Sequence, residues 1–121
     1  MAREAKNNVV VVLRRSPFSS GRDEEGLRVA VGLTMMNPNV AVLLLDAAAW
    51  LATDLSPAAI GHGDLAKHWD TLGDVGVERF VERESLAAQG IAADEVRPGV
   101  AVRSRAESAD LLAEADAVVV Y

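Results

Sequence analysis

The sequence contains no cysteine. That absence excludes a disulfide framework, a thiolate zinc site and a cysteine nucleophile, so the chain cannot itself perform thiol, persulfide or disulfide chemistry. Aromatic residues are few, with 2 Trp, 2 Phe and 1 Tyr among 121 residues, and a core must therefore be made of small aliphatic side chains packed closely. No apolar run approaches the roughly 20 residues that a membrane span needs. Val9 to Leu13 does follow basic residues, but it meets Arg14 and Arg15 at once, which is too short a stretch for a signal peptide. The expectation is a cytoplasmic protein with no membrane partner, in agreement with the missing cysteine. Positive charge is also in the minority. With 12 Lys and Arg against 18 Asp and Glu, the formal net charge is −6. Such a balance favours solubility and repels phosphate backbones, so nucleic acid is not an expected partner.

What is present is aliphatic and periodic. Half of the residues are hydrophobic and the length suits one domain, residues 1–121, with a single core. Val9 to Leu13 and Val40 to Leu45 are short apolar runs that lack period-two alternation, as expected for strands covered on both faces, and Val77 to Val81 is read as a third strand. Val100 to Val102 and Ala117 to Val120 complete a set of five. Between the first two strands, Ser20 is a candidate N-cap and Asp23, Glu24 and Glu25 place acids on a first helical turn. Leu27, Ala30, Val31 and Thr34 then share one helix face, and Asn37-Pro38-Asn39 ends the helix through the proline and a left-handed asparagine. Ala47 to Leu51 predicts a helical turn. A helix follows over Asp64 to Leu72 with Leu65, Trp69 and Leu72 inward, closed by Gly73. Ser85 to Gln89 is a short helix stopped by Gly90. Pro98-Gly99 is a turn, and Ser104 with Glu107 forms a capping box for a helix to about Glu114. Strands alternating with helices in this way predict a doubly wound α/β fold, a mostly parallel five-stranded sheet with right-handed crossovers and helices on both faces.

In open parallel sheets, ligands bind beyond the carboxyl ends of the strands. The candidate ligand-binding residues are therefore Ser16, Ser19, Ser20 and Gly21 in the first loop, Asp46 after the second strand, and Glu82, Glu84 and Ser85 after the third. The first loop leads into a helix N-terminus whose N–H groups can hold an anion. A capped helix is the plainer reading, because Asp23, Glu24 and Glu25 already occupy that positive end and neither a G-x-G-x-x-G nor a Walker pattern is present. Asp46 could hold a ribose or a metal, or simply cap the turn that follows it. Glu82-Arg83-Glu84 has the composition of a solvated rim. His62 and His68 are six apart, on different helix faces, and no neighbouring cluster completes a metal set. No serine lies in a G-x-S-x-G elbow. No catalytic set, metal site or cofactor is therefore assigned, and Trp50 and Trp69 are expected to be core or interface anchors.

With these segments in place, the sequence resembles the DsrE/DsrF-like superfamily, closest to the DsrF and TusC branch of sulfur-relay subunits. The likeness is carried by Arg15-Ser16-Pro17-Phe18, by Glu25-Gly26-Leu27, and by Leu43-Leu44-Leu45-Asp46 followed by Trp50. Ser85-Leu86 leading to Gly90-Ile91, and Asp116 to Tyr121, extend it. The resemblance implies a flavodoxin-like, DsrEFH-like sheet of five parallel strands and a cytoplasmic location. It also implies assembly into trimers or hexamers, homomeric or mixed with DsrE-like subunits. Family members that carry sulfur place a persulfide-forming cysteine just after the third strand, where this chain has Val81-Glu82-Arg83-Glu84. A carboxylate cannot replace a thiolate as acceptor of sulfane sulfur, and Glu82 and Glu84 would raise the pKa of a thiol beside them. Two functional expectations result. One is a non-catalytic, structural or regulatory subunit of an oligomer linked to intracellular sulfur transfer. The other is a module binding a small ligand, nucleotide or anion at the strand C-terminal edge. A cysteine-free enzyme using Asp46, Glu82 or a histidine as acid or base has no pattern in its support.

Overall fold

Five segments form strands β1 (Val9–Leu13), β2 (Val40–Leu44), β3 (Glu78–Glu82), β4 (Val100–Arg103) and β5 (Ala117–Val120). The computed structural model describes residues 8–18, 22–54 and 63–121, and for 63–66 the backbone alone. All strands are parallel, in the order β4-β3-β2-β1-β5, as expected for this α/β class. Helices α1 (Arg22–Thr34), α2 (Gly63–Asp74), α3 (Arg83–Ala88) and α4 (Arg105–Glu114) connect them, together with a 3₁₀ segment at Asp46–Ala52. The chain steps from β1 to β4 in one direction and then crosses back to β5. Right-handed crossovers therefore put the forward connections on one face and the single return helix, α4, on the other.

Two cores reflect this asymmetry. The larger packs Val11, Leu13, Val42, Leu44 and Val81 of the sheet against Leu27, Ala30, Trp69, Leu72 and Leu86. The smaller holds Val10, Val12, Leu43 and Phe80 under Leu111 and Leu112 of α4 and the Ala115 that follows it. Burial on both faces explains why β1 and β2 show no polar alternation. One helix does not cover the whole second face, and Val118 and Val120 of β5 remain 43% and 53% exposed.

Helix ends follow local chemistry, with some differences from expectation. Acids fill the first turn of α1, while Ser20, the expected N-cap, lies outside the described residues. Leu27 and Ala30 are fully buried, and Val31 and Thr34 only half-buried. The exit of α1 uses no left-handed asparagine: the Asn37 N–H donates to the Leu33 carbonyl, and Asn37 Oδ1 accepts from the Asn39 N–H at 2.8 Å, a side-chain turn in place of a backbone one. Helix α2 is closed by Gly76 rather than Gly73. Gly76 has φ +81°, its N–H donates to Gly73, and the Val77 N–H donates to Leu72. These are the paired bonds of a Schellman cap. As a result β3 begins at Glu78, one residue later than expected. Gly73 serves packing instead, since a Cβ there would lie 3.1 Å from Arg79 Nη2, and the Arg79 guanidinium stacks 4.9 Å from the Trp69 ring centroid. Gly90 (φ +73°) closes α3 with the same motif, through Ile91 to Leu86 and Gly90 to Ala87. The capping box of α4 is present, with the Glu107 N–H on Ser104 Oγ at 3.1 Å and the Ser104 N–H on Glu107 Oε1 at 2.8 Å. The inward placement of Leu65 lies outside the described side chains.

Glycines in these two settings respond oppositely to alanine. Gly90→Ala forces a side chain into a left-handed residue and is expected to lower stability by about 1 kcal/mol. Gly32→Ala, mid-helix in α1 with nothing within 4 Å of the added Cβ, is expected to raise it by about 0.5–1 kcal/mol. Urea unfolding of the two variants checks both signs.

Candidate functional site

Parallel pairing brings the carboxyl ends of β1, β2, β3 and β4 to one edge, with Arg14, Asp46, Glu82 and Arg105 at or just beyond them. Glu82 follows Phe80 by two residues and shares its face, the one covered by α4. It was expected on a solvated rim, yet it is only 6% exposed. Its partners account for the difference. The Ser85 hydroxyl donates to Glu82 Oε1 at 2.7 Å, and Arg105 Nε and Nη2 donate to the two carboxylate oxygens at 3.3 and 3.4 Å. Burial of a carboxylate is tolerable when it is paired and hydrogen-bonded in this way. Glu82 in turn raises the pKa of the Arg105 guanidinium above its ordinary value, chiefly through that hydrogen bond.

The network continues through Ser85 to Asp46. Ser85 Oγ accepts from the Asp46 backbone N–H at 2.8 Å, so the hydroxyl both accepts and donates. Asp46 has φ +53°, a left-handed conformation found among the described residues in no other non-glycine. Its carboxylate accepts from Arg14 Nε at 2.9 Å. Both side chains of this ion pair are more than half exposed, so the pair contributes little to stability. At the other end, Glu84 Oε1 accepts from the Arg105 backbone N–H at 2.9 Å, satisfying one of the open N–H groups at the start of α4. The sequence-derived candidates Asp46, Glu82, Glu84 and Ser85 therefore come together, each bonded within the protein. Ser16 lies in the first loop, where its Oγ accepts from the Phe18 N–H at 3.2 Å. Ser19, Ser20, Gly21 and His62 lie outside the described residues.

Two cavities flank the network. One of about 380 Å³ runs over the α4 side of the sheet between Val12, Leu112, Val118 and Val120, with Arg14, Asp46, Glu82 and Arg105 along its edge. The second, about 400 Å³, is lined by Arg14, Arg15, Arg22, Asp46, Val120 and Tyr121. A larger cavity of about 470 Å³, bounded by Asn8, Pro38, Asn39 and Glu114 among others, sits at the amino ends of the strands, the edge opposite to the one that open parallel sheets use for ligands. Among the described residues, no three His, Asp or Glu side chains are grouped to hold a metal ion, and no helix is long and apolar enough to cross a membrane.

Sequence reasoning missed Asp23. Its position in the first turn of α1 suggested an exposed partner for the helix dipole, but the residue is fully buried. Neither carboxylate oxygen has a hydrogen-bond partner among the described residues. Desolvation pushes its pKa up to about 7, and the nearby Arg15 opposes the rise.

The fold and rim define an open, doubly wound α/β domain whose strand ends carry a carboxylate and hydroxyl network and no thiol. The sequence profile of the DsrE/DsrF-like family matches residues 7–121, and the chain belongs to that family. The crystal structure of the ychN protein from E. coli is similar over 95% of this chain and 99% of that one, with a TM-score of 0.81 at 21% identity, a likeness that shows the fold. No curated protein matches the chain significantly.

Two outcomes are expected at the rim. Ser85→Ala strands the Asp46 N–H and removes a donor from buried Glu82, at an expected cost of about 1–3 kcal/mol, whereas Arg14→Gln should cost less than about 1 kcal/mol; denaturant titration separates them. Asp23 adds a pH dependence. Its folded pKa of about 7 lies above the ordinary 3.8, so the native state holds the proton more tightly, and stability falls as pH rises from about 4 through 7. Asp23→Asn should flatten that slope and raise the melting temperature at pH 8, an effect of at most about 4 kcal/mol. Thermal melts of both proteins from pH 4 to 8 check this.

Proposed function

We propose that the protein is a non-catalytic DsrE/DsrF-like subunit, nearest to the DsrF and TusC branch, with a structural or regulatory place in a cytoplasmic oligomer linked to intracellular sulfur transfer. The observation that carries this reading is Glu82. It is the last residue of the third strand, within the Val81-Glu82-Arg83-Glu84 stretch where sulfur-carrying relatives are expected to have a cysteine. Here that position holds a buried carboxylate bonded to Ser85 and Arg105. Accepting sulfane sulfur requires a thiolate, and the chain has none. The position supports the rim instead of reacting at it.

An oligomeric role draws support from the uncovered apolar surface. Val118 and Val120 are exposed beside the groove over α4, and Met35 and Met36 are 84% and 79% exposed; apolar surface of this kind is commonly covered in assemblies. A partner bearing the cysteine would supply the chemistry. The competing small-ligand reading of Glu82, Glu84 and Ser85 is weaker, because internal bonds engage all three.

The test has two arms. Incubated alone with a labelled sulfane-sulfur donor, the purified protein should retain no label after desalting under non-reducing conditions. Tagged protein recovered from its native host should bring down cysteine-bearing DsrE-like subunits and run above monomer mass by light scattering. Stable labelling of the isolated chain, or a strictly monomeric protein without such partners, would overturn the proposal.

A further inference from the structure

The two edges of the sheet end differently. At β4, Pro98 and Gly99 precede the strand, Arg103 closes it, and Arg103 Nη1 donates to the Val102 carbonyl at 3.2 Å. Prolines and charged side chains of this kind keep an edge from pairing with another chain. β5 carries neither, since its sequence is Ala117-Val118-Val119-Val120. Its backbone bonds alternate along the strand. The Ala117 and Tyr121 N–H groups donate to the Asn8 and Val12 carbonyls, and the Tyr121 carbonyl accepts from the Arg14 N–H. The odd-numbered residues therefore face β1. In an extended strand the N–H and C=O of the intervening residues point the other way, so those of Val118 and Val120 form the outer edge, and among the described residues no strand pairs with it. The same two residues are 43% and 53% exposed, and their side chains border the groove that Val12 and Leu112 line.

A row of open N–H and C=O groups is satisfied by a strand, and a second β5 fits this one. A twofold axis perpendicular to the sheet reverses the strand, keeps each sheet face on its own side and closes the contact between two copies. The register centred on Val119 is the one that employs both outward residues, with Val118 opposite Val120 of the second copy, each exchanging N–H and C=O with the other. Valines then meet valines across the pair, a favourable β-branched match, and no like charges face each other, because no side chain of the strand is charged. We infer that β5 is a homodimer interface, in which two copies join edge to edge as antiparallel strands about a twofold at Val119 and form one continuous sheet. The inference deepens the oligomeric reading above and rests on it. Val118 and Val120 of both copies gather beside the groove on the α4 side, and Val119 meets its own copy on the opposite face.

Because the chain has no cysteine, single cysteines report the register without background. Facing residues that exchange no hydrogen bonds have Cα atoms about 4.5 Å apart, within disulfide reach, and Val119 forms such a pair with its copy. Val118 and its copy lie on a diagonal of about 7–8 Å, beyond that reach. Under mild oxidation, Val119→Cys should therefore cross-link about tenfold faster than Val118→Cys, or more. In the unaltered protein, the Val118 and Val120 amides should be protected from hydrogen exchange wherever the protein sediments above monomer mass. Val118→Pro, which removes an N–H that β1 does not use, should abolish both the association and the protection. Equal cross-linking of the two cysteine variants overturns the inference, as does open exchange of both amides in an oligomeric sample. An oligomer that persists in Val118→Pro also overturns it, and the oligomeric reading then stands on another surface. A protein that is monomeric at every concentration overturns both. The cysteine comparison decides the matter if the proline variant fails to fold.

Discussion

One hydroxyl joins the two halves of the rim. Ser85 Oγ accepts the Asp46 N–H and donates to Glu82, so the turn after β2 and the end of β3 share a single atom. Asp46 holds a backbone conformation that side chains disfavour, and Glu82 holds a carboxylate away from water. Each is unfavourable alone, and each is offset by its bond to the same oxygen. Arg105 then attaches the start of α4 to that carboxylate, and Glu84 accepts from the Arg105 N–H. Three successive connections of the sheet, those following β2, β3 and β4, are thereby fixed relative to one another.

The order of the strands decides what that rim can do. Because β1 to β4 advance in one direction and only β5 returns, a single helix covers the second face. The groove beside Val118 and Val120 and the arginine-lined cavity beside Tyr121 both open next to β5, the strand with least cover.

Much of the fold was legible because its signals are local. β-branched runs such as Val9–Leu13 can be strands with both faces covered, and Gly90 and the Ser104 and Glu107 pair announce helix ends within a few residues. Strand and helix alternation alone directs attention to the carboxyl edge, and Asp46, Glu82, Glu84 and Ser85 do meet there. Burial at that edge was not legible. Glu82 is covered through Arg105, 23 residues away, and Asp23 is buried by tertiary packing that no helical periodicity encodes. The arginine cavity was missed for the same reason: Arg14, Arg15 and Arg22 lie on either side of a loop, and only folding brings them to one space. Gly73 misled because a glycine near a helix end resembles a cap, while its function is to admit the Arg79 guanidinium.

In this chain of the DsrE/DsrF-like family, which has no cysteine, the end of β3 carries a buried carboxylate tied into an internal network through Ser85 and Arg105. The most direct measurement of that claim is native-state hydrogen exchange at the Asp46 amide. The account predicts protection well above that of an exposed loop, lost when the Ser85 hydroxyl is removed. An Asp46 amide that exchanges at the rate of an open loop in the unaltered protein would contradict it.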